Sequence, residues 1–252
     1  SIDAQAFMGA NLTSITLPDG LTSIGNGAFG NNADLTSIRI GPNVSSIGSG
    51  VVSGTSVSEF DVSAANPTFA ADGGVLFNKA KTSIITVPPA KSGSYVIPNS
   101  VTSLADGAFR SSQLTSITIG SGITAIPGSA FYGSALTSVS IPSSVTSIGG
   151  NAFSYTQLTS LVIPDSVTSM AEYALAFMSS LRTVTIGSGM TTLPGALLTS
   201  SAVTSVTLRG AVTHIGYSAF QSTNLGTFVV PSTVTSIDAQ AFMGANLTSI
   251  TL

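Results

Sequence analysis

A six-residue pattern of apolar and polar positions recurs along the chain. It runs apolar, two polar, apolar, polar, apolar, as in LTSITL at 12–17, and the same six letters return at 247–252. Near copies begin at residues 35, 114, 136, 158, 181 and 203. Because alternate side chains of a strand face opposite sides of a sheet, the pattern predicts short strands with one buried face.

The spacing of these strands predicts how they stack. Outside the middle of the chain, successive copies are 22 or 23 residues apart, which is the signature of a stacked array. Each unit, such as 136–157, continues with a turn, a second apolar pair in a VTSI segment, another turn and an Ala-Phe pair. One unit cannot bury its apolar side chains, whereas stacked units can. The sequence therefore predicts a β-rich solenoid of about eleven coils, with a parallel β-sheet and little helix.

The large residue of the Ala-Phe pair is predicted to fill the core from a short helical turn, because aromatic side chains bury large apolar areas. This position is occupied by Phe7, Phe29, Phe109, Phe131, Phe153, Phe220 and Phe242. Stacking of the coils would align these rings in a ladder along the core.

Residues 57–113 break the rhythm of the repeat. We interpret them as an irregular segment of enlarged repeats within a single solenoid spanning 1–252, and not as a second domain. The Asp72-Gly73-Gly74 sequence, between Phe69 and the apolar run 75–77, predicts a hairpin turn.

The repeat resembles a known family. The pattern LxxIxLPxxVTSIGxxAF, as in 158–175 and 225–242, is similar to the bacterial BspA-like, or treponemal-class, leucine-rich repeats. The irregular segment resembles that family too, in Asn66-Pro67-x-Phe69 and in Gly93-x-Tyr95-x-Ile97-Pro98. The resemblance implies a leucine-rich-repeat solenoid on a secreted or surface-exposed protein, often concerned with adhesion, and it supplies no catalytic residues.

Two distant segments of the chain are identical. Residues 1–17, SIDAQAFMGANLTSITL, are repeated without change as residues 236–252, at an offset of 236 − 1 = 235 residues. The hypothesis we favour is a 235-residue superrepeat, in which the chain is a window from a longer array. An engineered overlap and a recent local duplication are the alternatives. The first hypothesis predicts self-association, either as tandem copies or end to end between chains.

Composition narrows the possible partners. Of the 252 residues, 43% are hydrophobic and only 7% are charged, and the net charge is −3. Serine and threonine together make up roughly three residues in ten. No basic cluster favours nucleic acid or an anionic membrane surface, and no apolar run reaches the roughly 20 residues of a membrane span. There is no cysteine, so disulfides and thiol chemistry are excluded.

Three groups of residues invite a chemical interpretation. Residues 25–30 match GxGxxG, but neither an acidic partner nor a βαβ context follows. His214 is the single histidine and replaces the serine of a VTSI segment. Glu59 and Asp61 share one face of a strand, which suits a glycosidase pair or, with Asp72, calcium. For all three we favour a structural or solvent-exposed role, so the sequence predicts no enzyme, cofactor or metal site.

The outward positions of the strands form the candidate binding surface. They are hydroxyl side chains, which stacking would place about 4.8 Å apart along one sheet. We name this set the hydroxyl file: Ser14, Thr16, Ser116, Thr118, Ser138, Ser140, Thr183, Thr185, Ser205 and Thr207. Such a surface suits weak binding of a glycan, a host protein or a matrix protein.

The sequence thus predicts an extracellular or cell-surface structural and adhesive protein that builds a fibre or surface layer by continuation of the solenoid. The alternative is a protein that binds ice or glycans through the hydroxyl file. Ice binding requires an uninterrupted face, and five outward positions interrupt this one: Arg39, Glu59, Asp61, Val162 and Val229.

Overall fold

The computed structural model describes residues 1–252 as a parallel β-solenoid of about ten turns without helix, which confirms the predicted fold class with one coil fewer than expected. Its 22 strands are two to six residues long. In chain order they are β1 (Ser23–Ile24), β2 (Ile38–Ile40), β3 (Ser46–Ile47), β4 (Phe60–Val62), β5 (Phe69–Asp72), β6 (Val75–Asn78), β7 (Ser83–Thr86), β8 (Ser92–Val96), β9 (Ser103–Leu104), β10 (Gln113–Thr118), β11 (Ala125–Ile126), β12 (Ser138–Ser140), β13 (Ser147–Ile148), β14 (Ser160–Ile163), β15 (Ser169–Met170), β16 (Thr183–Ile186), β17 (Thr192–Leu193), β18 (Ser205–Leu208), β19 (His214–Ile215), β20 (Thr227–Val229), β21 (Ser236–Ile237) and β22 (Ser249–Thr251).

The strands predicted from the LTSITL pattern form the first sheet column. They pair in parallel as β2–β4, β8–β10–β12, β14–β16–β18 and β20–β22. Equivalent positions face one another, as in Ile117 against Val139 and Val184 against Val206. The column is therefore in repeat register, but its hydrogen bonding is divided into four blocks.

The first copy of the pattern does not form a strand. Residues 12–17, which include Ser14 and Thr16, have no ladder to β2. Ile15 of this segment lines a cavity of about 180 Å³ together with residues of β2 and β4, Arg39 and Asp61 among them. Because residues 12–17 join no ladder, the prediction of a strand here is wrong.

The VTSI segments form a second sheet column of two-residue strands. They pair in parallel as β1–β3, β11–β13–β15 and β17–β19–β21, and an isolated bridge joins Ile2 to Ile24. The apolar residue of each pair points inward, and Ile24, Ile126 and Ile215 are almost fully buried.

The Ala-Phe segments form a third column, which we call the turn column. The predicted helical turn does not form a helix, because only alternate N–H groups bond within the segment and the others donate to the next coil. Phe131 N–H donates to Ala152 O at 2.8 Å, and Phe153 N–H donates to Ala174 O at 3.0 Å. Each turn has two residues with positive φ, four positions apart, such as Asn151 (56°) and Tyr155 (60°). Because left-handed and right-handed backbone conformations alternate, N–H groups of the turn point along the solenoid axis toward the next coil. In an α-helix they would bond within the same segment.

The phenylalanine ladder fills the core behind the turn column. Five of its members are fully buried, namely Phe29, Phe109, Phe131, Phe153 and Phe220. Ring centroids of Phe131 lie 5.1 Å from those of both Phe109 and Phe153. Phe7 and Phe242, in coils with a neighbour on one side only, are partly exposed.

The irregular segment replaces regular coils with a mixed sheet in the order β5–β6–β7–β9. Asp72 pairs with Val75 in an antiparallel hairpin, which confirms the predicted turn at Gly73-Gly74. Asn66, 1% exposed, donates to Gly41 O at 2.7 Å and accepts from Phe69 N–H at 2.7 Å. The hydrophobic core divides at this segment into two clusters.

Candidate functional site

The structure brings most of the hydroxyl file together in two blocks. Ser116 faces Ser138 and Thr118 faces Ser140 in one block, and the Ser116 and Ser138 hydroxyls lie 3.1 Å apart. The second block consists of Thr183 and Thr185 on β16 opposite Ser205 and Thr207 on β18. All eight side chains are exposed or half-buried.

Three features interrupt the file. No ladder joins β12 to β14, so the two blocks are separate. Exposed valines occupy outward positions elsewhere in the first sheet column, with Val162 at 55% and Val229 at 69% exposure. Ser14 and Thr16 are exposed but lie outside any strand. The file therefore offers two short hydroxyl patches and no unbroken face.

A second set of threonine hydroxyls is structural, which sequence reasoning did not separate from the surface set. Thr137 Oγ1 donates to Thr115 O at 3.0 Å, and Thr204 Oγ1 donates to Arg182 O at 3.1 Å. In the second sheet column, Thr235 Oγ1 donates to Thr213 O at 3.1 Å. These hydroxyls join neighbouring coils, so the abundance of threonine has a structural cause as well as a surface one.

His214 has partners that the sequence analysis missed. Its Nε2 lies 2.9 Å from Asp238 Oδ2, and its Nδ1 lies 3.1 Å from Ser236 Oγ. A hydroxyl, an imidazole and a carboxylate in series are the parts of a hydrolytic triad. However, the N–H groups of Gly216, Ser236 and Asp238 all donate to carbonyls of the preceding coil. None of these three amides is free to stabilise an oxyanion, and the contacts of His214 with Ser236 and Asp238 link neighbouring coils.

Of the three acidic residues singled out from the sequence, Asp61 and Asp72 contact cations of the chain, and Glu59 does not. Asp61 Oδ2 lies 3.4 Å from Arg39 Nε, and Asp72 Oδ2 lies 2.8 Å from Lys81 Nζ. The hydrogen bond from Lys81, and then its charge, lower the pKa of Asp72 below the usual value of 3.8. No three His, Cys, Asp or Glu side chains lie close enough to share a metal ion.

The GxGxxG match at 25–30 is explained by coil stacking. A Cβ atom on Gly25 would collide with the backbone nitrogen of Ala4 in the preceding coil. Gly27 has a φ of 60° and is the first positive-φ residue of its turn. These glycines allow close approach of neighbouring coils.

The turn column carries surface features that sequence reasoning did not find. The Arg110 guanidinium lies 4.2 Å from the ring centroid of Tyr132, and the Tyr132 and Tyr155 centroids are 5.1 Å apart. Tyr155 stacks on Phe177 at 5.0 Å. The signal in the sequence is an aromatic residue, in successive repeats, one or two positions after the buried large residue. The structure has no helix that is long and apolar enough to cross a bilayer.

Comparisons with known proteins match the repeat over the whole chain. The family model described as "BspA type Leucine rich repeat region (6 copies)" matches residues 1–89, 90–202 and 146–252. The crystal structure of the pneumococcal vaccine antigen PcpA aligns with 24% identity and a TM-score of 0.72, covering 99% of this chain and 70% of that one. A leucine-rich repeat protein from Eubacterium ventriosum aligns with 20% identity and a TM-score of 0.55, covering 94% of this chain and 84% of that one. No curated protein sequence matches the chain significantly.

Proposed function

The chain belongs to the BspA-type leucine-rich repeat family, and from this premise we propose that it is an extracellular, non-enzymatic structural and adhesive protein. It extends end to end into a fibre or surface layer, so its main partner is another copy of itself. A location at the cell surface is supported by the family and by a protein of the same fold that is a vaccine antigen.

The observation that carries the fibre is that one 17-residue sequence contacts a neighbouring coil through each of its two faces. As residues 1–17, it contacts the coil that follows: Phe7 N–H donates to Ala28 O at 2.8 Å. As residues 236–252, it contacts the coil that precedes: Ala241 O accepts from Phe220 N–H at 2.8 Å. Since Phe7 corresponds to Phe242 and Ala241 to Ala6, the two contacts use different atoms of the same sequence.

A single copy of this segment can therefore make both contacts at once. In that arrangement the repeat of 235 residues continues without a seam, and the partly exposed rings of Phe7 and Phe242 become one buried ring. About ten coils at ~4.8 Å per coil add roughly 50 Å of length per copy. With only 7% charged residues, little repulsion opposes side-by-side packing of such fibres.

The hydroxyl file supplies the adhesive surface in this proposal. Its two exposed blocks suit weak contact with a glycan, a host protein or a matrix protein through many repeated hydrogen bonds. Binding of ice through the same file is the alternative, favoured by the regular pairing of Ser116 with Ser138. Thermal hysteresis of a solution of the chain would favour ice binding over adhesion.

The fibre is tested with a tandem protein in which residues 18–252 follow Leu252 directly. We expect one straight particle of about twice the original length and a single unfolding transition, because the junction coil is stacked on both sides. The control is the same tandem with a flexible Gly-Ser linker at the junction, which should give two beads joined at variable angles in electron micrographs. If the direct tandem also gives two beads, the continuation is wrong.

A further inference from the structure

The turn column carries a polar pocket where the irregular segment interrupts the regular stacking of coils. Its volume is about 370 Å³, and Met8 is the one hydrophobic residue among the ten that line it. The turn at 107–111 lies against the turn at 49–54, since Ser49 Oγ donates to Asp106 O at 2.9 Å across 57 positions of sequence. The pocket is thus built from coils that the sequence separates and the fold brings together.

Arg110 is the charged residue of this pocket, and its guanidinium has no protein acceptor. The three ion pairs of the chain are Arg39–Asp61, Lys81–Asp72 and His214–Asp238, so no carboxylate forms an ion pair with Arg110. By contrast, the Arg182 guanidinium donates to two backbone carbonyls. The Tyr132 ring, 4.2 Å from Arg110 Cζ, supports the guanidinium by a cation–π contact. A planar fork of N–H groups held in this way is suited to bidentate recognition of a carboxylate.

Neutral polar side chains surround the guanidinium, and several lack partners. The side chains of Gln5, Asn31, Ser53 and Ser111 line the pocket and make no hydrogen bond to the protein. Asn26 is fixed in place because its Oδ1 accepts from Ser49 N–H at 2.9 Å, which leaves its amide N–H groups available. Amides and hydroxyls of this kind both donate and accept, as the hydroxyl groups of a sugar require.

We propose that this pocket binds an acidic sugar, a pyranose ring that carries a carboxylate. The carboxylate binds the Arg110 guanidinium, and the ring hydroxyls bind Asn31, Ser53 and Gln5. One cation among neutral amides matches the single charge of a carboxylate better than the double charge of a phosphate. The pocket lies in the turn column, away from the hydroxyl file, and the proposal does not depend on fibre formation.

The test is a titration of the full chain with methyl glucuronide and with methyl glucoside, followed by NMR chemical shifts. The two sugars differ at one carbon, which is a carboxylate in the glucuronide and a hydroxymethyl group in the glucoside. We expect saturable binding of the glucuronide that is at least about tenfold tighter than that of the glucoside, since a charge-assisted hydrogen bond contributes on the order of that factor. Equal binding of the two sugars, or no saturable binding of either, overturns the proposal.

Variants locate the site. Arg110→Gln should remove the preference for the glucuronide, whereas Arg209→Gln, the same change at an exposed arginine outside the pocket, should leave it intact. Asn31→Asp places a negative charge in the pocket with almost no change of shape, so it should weaken glucuronide binding about tenfold or more and spare the glucoside. Thermal unfolding of each variant shows whether the fold is retained. If both pocket variants fold and bind the glucuronide as the parent does, the site is wrong.

A competition with acetate separates a sugar site from a simple carboxylate site. We expect acetate to displace the glucuronide only at a concentration at least about tenfold higher, because acetate cannot use Asn31 and Ser53. Displacement at equal concentrations would overturn the assignment of the ring hydroxyls.

Discussion

Phe153 shows how a single residue is fixed by the repeat. Its side chain is fully buried, and its ring stacks on that of Phe131 with centroids 5.1 Å apart. The sequence was sufficient to place it, because this position of the turn recurs as a large apolar residue in the regular coils. Its ring therefore occupies a volume that the neighbouring coils cannot fill.

Replacement of Phe153 by alanine should destabilise the protein by about 3–5 kcal/mol, because a buried aromatic ring is lost and a cavity remains. The measurement is the free energy of unfolding from urea denaturation. The control is Tyr155→Ala, at a side chain that is 46% exposed, which should cost much less. Equal losses in the two variants would show that Phe153 does not support the core.

The histidine trio marks a residue-scale contact that the sequence contained and that we did not predict. Adding one coil to His214 gives 214 + 22 = 236 and 214 + 24 = 238, the positions of Ser236 and Asp238. The period therefore predicts this contact once the polar residues of neighbouring coils are compared. The surroundings of Arg110 could not be predicted in this way, because the path of the irregular segment, and not the period, determines which turn lies beside it.

At the scale of elements, the strands were predictable and the turns were not. Strand pattern and spacing set both position and register, as in Ser116 against Ser138. The turns place Tyr173, Phe177 and Ala196 at positive φ, where local preference disfavours such side chains. Hydrogen bonds to the neighbouring coils impose this conformation. The sequence of one repeat by itself does not reveal these hydrogen bonds. The helical turn we expected for Ala152-Phe153 was wrong for that reason.

Close stacking of the turns makes some glycines irreplaceable. A Cβ atom on Gly149 would lie 2.5 Å from the backbone nitrogen of Gly128, whereas one on Gly226 would meet no atom within 4 Å. Gly149→Ala should therefore destabilise the protein by about 1–3 kcal/mol through overpacking. Gly226→Ala, the control, should be neutral or slightly stabilising, by at most about 1 kcal/mol. Equal melting temperatures for the two variants would contradict this account of the stacking.

The turn after β14 provides a test by pH. Asp165 Oδ1 accepts from Ser188 N–H of the next coil at 2.7 Å, and this backbone hydrogen bond is the main cause that lowers the pKa of Asp165 below 3.8. A lowered pKa in the folded state adds stability that is present above the unfolded-state pKa and is lost as pH falls through the folded-state pKa. Asp165→Asn should therefore reduce stability above pH 4 and match the parent at the acid end.

Urea midpoints measured between about pH 6 and pH 2 give this comparison. Asp34→Asn controls for the loss of one negative charge, since the Asp34 side chain makes neither a hydrogen bond nor an ion pair. If the parent and Asp165→Asn lose stability in parallel as the pH falls, the bond to Ser188 contributes nothing.

At the scale of the whole molecule, the repeat period predicted the solenoid but not the division of its core and of its first sheet column. A fixed repeat requires a solenoid, and the solenoid is present. The split of the core at the irregular segment and the four blocks of the first sheet column depend on local fits between coils. The cavity beside Ile15 is one such misfit, and the repeat pattern of 12–17 contains no sign of it.

The orientation of the backbone hydrogen bonds has a mechanical consequence. In all three columns the backbone hydrogen bonds between coils point along the solenoid axis, while the covalent chain winds across it. A force that pulls the ends apart therefore loads the bonds of one coil at a time, and the coils peel away in sequence. Each released coil of 22 residues extends to roughly 70–80 Å in place of ~4.8 Å. A solenoid pulled in this way would lengthen in small steps and absorb work at each one.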